Sequence, residues 1–224
     1  NEINIAKTKG RLSNLIKLLL ENPLSGTIGI GHTRWATHGA PSDTNSHPHI
    51  SEDHKIAVVH NGIIENYMDI KEELLKEGYH FLSETDTETI AHLIDYYYKE
   101  SMDFEDSVFK AVSRLEGSYA LGIICKDSPD KLIAVRKGSP LVIGKGNGEN
   151  FIASDIPALL NYTREVYFLE EEEIAVITDN DISIYDSNRN KIERDIYHVT
   201  WDIEAAEKSG YAHFMLKEIH EQPK

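Results

Sequence analysis

The sequence predicts an α+β fold built on antiparallel sheets. Through the first half, apolar residues recur at helical spacing. From Ser118 onward short apolar runs take over, separated by turn-forming residues. Strands and helices alternate too rarely for a doubly wound parallel sheet.

Near the start, Ile3 and Ile5 alternate with polar neighbours and suggest a strand. Residues 9–21 set Leu12, Leu15, Ile16, Leu19 and Leu20 on one helical face, and Pro23 and Gly26 end that helix. Residues 27–31 read as a short buried strand, and residues 55–60 as another that stops at Asn61-Gly62. Asn66 precedes an amphipathic helix with Ile70, Leu74 and Leu75 inward and Gly78 as its stop. Residues 79–82 suggest a short strand. Thr85 and Glu88 have capping-box spacing, opening a helix whose buried face is Ile90, Leu93, Ile94 and Tyr97. Asp103 opens the next, with Phe104, Val108, Val112 and Leu115 along one side and Gly117 at its end.

Strands are then expected at 119–125, 131–136, 140–144, 150–154, 166–169, 173–178, 182–185 and 191–196, with one helical turn at 155–160. Ser128-Pro-Asp, Asp179-Asn-Asp and Ser187-Asn-Arg-Asn separate several of them as turns. No linker or internal repeat interrupts the chain, so one domain is expected.

Composition narrows the function. The 224 residues carry a net charge of −15, from 23 Lys and Arg against 38 Asp and Glu, which disfavours nucleic acid and anionic membranes as partners. No apolar run approaches the roughly 18 residues of a membrane span, and no secretory leader pattern is visible. The single cysteine, Cys125, excludes an internal disulfide framework and suits a reducing, cytoplasmic setting.

Two stretches hold most of the chemistry. One runs from Gly29 through Arg34 to His49, the other from Val58 to Asn66. Arg34 offers a planar fork suited to a carboxylate. Asn61 offers a side-chain N–H, and Gly62 a backbone N–H unobstructed by any Cβ, and two adjacent donors are what an oxyanion hole requires. Asn-Gly is also the commonest tight hairpin turn. Asp86 reads either as a carboxylate favoured by a helix N-terminus or as a ligand group. Between His32 and His60 lie six of the 11 histidines. Their spacing is not that of a zinc site, so packing and hydrogen bonding are expected of them, and no metal. His47 is expected to support the loop. Gly29 and Gly31 are expected to serve backbone conformation, since neither a dinucleotide fingerprint nor a P-loop is present.

The strings HTRWATHGAPSDTNSHPH from His32, VVHNGIIENY from Val58, SETDTETIAHLI from Ser83, GSPLVIG from Gly138, GENFIASD from Gly148 and KEIHEQP from Lys217 occur in order. Together they resemble the glutaminase domain of the class II, N-terminal-nucleophile amidotransferases, specifically the glutamine–fructose-6-phosphate kind. The resemblance implies two antiparallel sheets stacked between helical layers (αββα). It implies hydrolysis of L-glutamine to glutamate and ammonia, and transfer of the ammonia to fructose 6-phosphate to make glucosamine 6-phosphate, with no cofactor.

By resemblance, Arg34 pairs with the glutamine α-carboxylate and Asp86 with its α-ammonium. Trp35, Thr37 and His38 shape the pocket in a loop that closes over substrate, and Asn61 and Gly62 stabilise the oxyanion. Residues 1–212 would form the glutaminase domain, and residues 213–224 would begin the connection to a sugar-phosphate isomerase domain, in a protein that is a homodimer when full length. In such enzymes the nucleophile is a cysteine at the first residue, with its own α-amino group as base. This chain begins with Asn1 and matches the pattern from a later point, so the chain as given is expected to bind glutamine without turning it over. Cys125 lies in an apolar strand and is no substitute. The alternatives are an amidotransferase of the phosphoribosyl pyrophosphate type and a non-catalytic glutamine-binding domain.

Overall fold

The structure is a computed structural model that describes residues 2–34, 39–201, 211 and 213–222. Two antiparallel sheets form its centre. The larger has seven strands in the order β1 (His49–Ile50), β2 (Ile56–Ile64), β3 (Gly117–Cys125), β4 (Ser128–Lys137), β8 (Glu173–Ile177), β9 (Ile182–Tyr185) and β10 (Lys191–Ile192). The smaller has four, in the order β11 (Tyr197–His198), β7 (Glu165–Phe168), β5 (Val142–Lys145) and β6 (Asn150–Ala153). All pairings are antiparallel. This is the α+β architecture with two stacked sheets.

The helices among the described residues are α1 (Leu12–Glu21), α2 (Tyr67–Lys76), α3 (Asp86–Ser101), α4 (Phe104–Val112) and α5 (Phe214–Glu221). Ile70 and Leu74 of α2, Ile90, Leu93 and Ile94 of α3, and Phe104 and Val108 of α4 bury their side chains against Ile56, Val58, Leu121 and Ile133 of the larger sheet. The opposite face of that sheet meets the smaller one through Ala120, Leu132, Ala134, Ile143 and Ala175. At Gly122 a Cβ would stand 2.8 Å from Ile152 Cδ1, so a side chain here would make the Ile152 tip shift where the two sheets approach. A single 3₁₀ turn, Ile156–Ala158, packs with Leu159, Leu160 and Val166 beyond the smaller sheet. Among the described residues no helix is long and apolar enough to cross a membrane.

Several local expectations need correction. Residues 2–8 and 27–31 carry no strand pairing among the described residues, and residues 79–82 form no strand. α1 has the expected apolar stripe, yet none of its residues is buried, and Leu20 is 78% exposed. Leu75 of α2 is likewise exposed. The turn between β3 and β4 falls at Lys126–Asp127, because Ser128 already pairs with Cys125. α4 ends at Val112, and Gly117 starts β3 instead of capping the helix. Thr85 is the N-cap of α3, but its side chain makes no capping bond. Glu88 reaches back past it to the Leu82 and Ser83 N–H groups at 2.9 and 2.7 Å.

Candidate functional site

The Asn61-Gly62 pair lies inside β2, where Asn61 faces Ala120 and Gly62 faces Tyr119. The hairpin reading is therefore excluded, as is the expected strand end at His60. Gly62 has φ of 121°, and a Cβ there would stand 2.0 Å from the Ser118 carbonyl oxygen. Gly117 answers it across the ladder: φ is 112°, and its Cβ would stand 2.3 Å from the Ile63 carbonyl oxygen.

β1 covers β2 only opposite Ala57 and Val58. Beyond that point the outer edge of β2 finds side-chain acceptors. His47 Nδ1 accepts the His60 N–H at 3.3 Å, and Asp86 Oδ2 accepts the Ile64 N–H at 3.0 Å. Between these contacts Asn61, Gly62 and Ile63 are exposed, so a ligand can reach the strand here.

Asp86 is the first residue of α3 and is buried, where the helix dipole favours its charge. The next residue, Thr87, shares a 3.0 Å hydrogen bond with His60 Nδ1, which also stands 3.9 Å from Asp86 Oδ2. Two adjacent side chains thus dock the N-terminus of α3 onto β2.

Four of the six histidines, His32, His47, His49 and His60, cluster here, while His54 is exposed and His38 lies outside the described residues. His32 stacks on His47 with centroids 4.2 Å apart and planes inclined by 17°, and His49 meets His47 edge-on at 5.0 Å. Burial pushes His47 down to about 2, with the neighbouring imidazoles and Arg34 acting in the same direction. Burial and Lys7 push His49 down to about 4. These rings are neutral at ordinary pH. Because His47 Nδ1 accepts a backbone N–H, its proton sits on Nε2, which faces Thr87 Oγ1 at 3.5 Å. Among the described residues no three His, Cys, Asp or Glu side chains are placed to hold a metal ion.

Arg34 is half-buried, and its Nη2 donates to the Gly39 carbonyl at 3.2 Å. Its charge acts on His32, His47 and His49, so it stands beside the histidine cluster. Trp35, Thr37 and His38 lie outside the described residues. A cavity of about 170 Å³ opens between the 6–12 segment and His32, Arg34, Pro41 and His47. A larger one, about 570 Å³, lies away from all the expected site residues, between residues 2–5, 24–30 and the β3–β4 turn. Gly29 and Gly31 have no positive φ, and a Cβ on either would meet nothing within 4 Å, so neither is needed for backbone conformation.

Two contacts escaped the sequence reading. Lys7 Nζ donates to the Thr44, Ser46 and Pro48 carbonyls at 3.2, 3.1 and 3.4 Å, pinning the loop before β1. His32 Nε2 lies 2.8 Å from Asn61 Oδ1. Both join residues far apart in sequence, and no local pattern announces either. Cys125 faces Ile56, at the other end of β2 from Asn61 and roughly 16 Å along the strand. Burial raises its pKa.

The arrangement gathers a buried carboxylate, a guanidinium, a side-chain amide and an exposed stretch of backbone, groups suited to an amino acid. A family profile described as glutamine amidotransferase domain matches residues 32–161. The chain is 58% identical over 224 residues to glutamine–fructose-6-phosphate aminotransferase (isomerizing) of Clostridium perfringens, covering all of this chain and 36% of that protein. It is 51% identical to the protein of that name from Pyrococcus horikoshii, again over its full length and 38% of the relative. The chain thus spans little more than a third of these curated relatives. Among solved structures it is similar to glutamine phosphoribosylpyrophosphate amidotransferase from B. subtilis, with a TM-score of 0.57 and 28% identity over 71% of this chain and 35% of that one.

Proposed function

From the premise that the chain belongs to the glutamine amidotransferase domain family, we propose that it binds L-glutamine at the exposed part of β2 and serves its hydrolysis to glutamate and ammonia. Asp86 takes the α-ammonium, and Arg34 the α-carboxylate by a two-pronged bond. Asn61 Nδ2 and the Gly62 N–H hold the oxyanion formed at the side-chain carbonyl. Alternation along a strand puts the Gly62 N–H on the same edge as those of His60 and Ile64, which already have side-chain acceptors. Trp35, Thr37 and His38 complete the pocket wall. Cys125 has no nucleophilic part in this scheme.

The observation that carries the proposal is the docking of the Asp86 carboxylate onto the strand that bears Asn61 and Gly62. The ammonia is destined for fructose 6-phosphate, the acceptor in the names of the relatives at 58% and 51% identity. The phosphoribosyl pyrophosphate alternative is favoured only by the likeness at 28% identity. Residues 1–212 act as the glutaminase domain, and residues 213–224 lead toward a sugar-phosphate isomerase domain, in a cytoplasmic homodimer.

The test is calorimetric titration of L-glutamine into the 224-residue chain. Binding is expected, with Arg34→Ala weakening it at least about tenfold, a charge-assisted bond being worth roughly 1.5–3 kcal/mol. Asn61→Ala should leave binding nearly intact and lower turnover in the native protein by about 10²–10³. Unchanged binding in Arg34→Ala would overturn the assignment.

A further inference from the structure

We propose that His32 sets which end of the Asn61 amide faces the substrate and so acts as a positioning residue for the oxyanion donor, an inference that rests on the glutaminase reading above. The two side chains meet at 2.8 Å, between His32 Nε2 and Asn61 Oδ1. An amide has one donating end and one accepting end. If Nε2 carries the proton, it donates to Oδ1, and the Nδ2 amino group is turned toward the site. If Nε2 is bare, the amide gains by rotating half a turn. Nδ2 then bonds the imidazole, and Oδ1 points a lone pair at the place where negative charge develops. The first arrangement stabilises an oxyanion and the second repels it.

The surroundings of the ring select the first. His32 Nδ1 is buried and has no hydrogen-bond partner among the described residues. A proton there would be an orphaned buried donor, which is costly, whereas a bare lone pair is tolerated more readily. The proton therefore belongs on Nε2. Burial keeps the ring neutral, with Arg34 acting the same way, against the hydrogen bond to Asn61 and the nearby His60 backbone.

The ring is also held in place. It lies flat on His47, 4.2 Å away, and His47 is anchored through Nδ1 by the His60 N–H. The sequence of contacts leaves β2 at His60, passes through two imidazoles and returns to β2 at Asn61. A donor aimed in this way is preorganised, and preorganisation gives such a bond its effect on the transition state.

The test begins with the unaltered chain. Long-range ¹H–¹⁵N correlation of the His32 imidazole is expected to show the neutral Nε2–H form from about pH 6 to 8; the Nδ1–H form would overturn the proposal. In the native protein, His32→Leu is expected to lower kcat for glutamine hydrolysis by about 10²-fold with KM within about twofold. His32→Gln, which restores an N–H near Nε2, should recover most of the loss. An unchanged kcat in His32→Leu, or equal losses in His32→Gln and His32→Leu, would also overturn it. Asn61→Ala separates the two levels. If that variant loses turnover while His32→Leu does not, only the positioning role falls. If it keeps full turnover, the oxyanion reading falls and the positioning role with it.

Discussion

The carboxylate of Asp86 accepts the backbone N–H of Ile64 at 3.0 Å, binding the first residue of α3 to the edge of β2. One side chain thus meets two demands: an acceptor for the strand and a negative charge for the ligand. Substitutions can part them. Asp86→Asn keeps an acceptor and loses the charge. It should weaken L-glutamine binding at least about tenfold while leaving the urea unfolding midpoint nearly unchanged. Asp86→Ala also orphans the Ile64 N–H and should cost a further 1–3 kcal/mol, roughly, in stability. Equal destabilisation by both variants would show that the charge, not the acceptor, holds the contact.

Gly62→Ala should be severely destabilising, by about 2–3 kcal/mol or more, because φ is 121° and the added methyl would stand 2.0 Å from the Ser118 carbonyl. Gly29→Ala is the control. Nothing lies within 4 Å of its added methyl, so it should change stability by no more than about 0.5 kcal/mol. Chemical denaturation of both variants reads the difference.

Stability should fall in two stages as the pH drops. Unfolded histidines take up protons near 6.5, whereas His47 and His49 in the fold do so only at about 2 and about 4. The unfolded state therefore binds more protons below pH 6.5, and stability declines from there downward, by roughly 2 kcal/mol for His49 alone at pH 5. Glu88 adds the second stage. Burial raises its pKa, but the nearby His92 imidazole and bonds from the Leu82 N–H and Ser83 outweigh burial and hold it at about 2 against the ordinary 4.5. Its contribution is present above pH 4.5 and is lost as the pH falls toward 2. His49→Gln should flatten the first stage and Glu88→Gln only the second, in unfolding midpoints measured from pH 7 to 3.

Cys125 should resist thiol reagents in the folded protein. It is buried in β3, and burial raises its pKa, so little thiolate forms at neutral pH. Labelling with an aromatic disulfide should be slow in native buffer and rapid and stoichiometric in denaturant. Fast native labelling would place Cys125 at an open surface.

What the sequence made legible was mostly local. The apolar stripes of α3 and α4 and most strands from Tyr119 onward stand where periodicity puts them, because each is specified by neighbours within a few residues. The failures are non-local. Residues 27–31 look like a short buried strand but pair with no strand among the described residues, and pairing, not composition, makes a strand. Asn61-Gly62 looks like a hairpin turn, yet β3 continues alongside it as far as Gly117. Glu88 bypasses Thr85 because the Ser83 hydroxyl and N–H offer it a better partner. At the site, chemistry and resemblance propose Arg34, Asn61 and Asp86, while the His32–Asn61 contact depends on how β2 lies against a distant loop.

The longest ladder of the larger sheet joins β2 to β3, and α2, α3 and α4 all lie between them in the chain. Closing that long loop is entropically slow, so this ladder should be among the last contacts made during folding. Asn61 and Gly62 are aligned by the same ladder. Recovery of glutamine binding during refolding should therefore lag behind recovery of helical signal, and a nascent chain would acquire affinity only after Gly117–Cys125 has been synthesised.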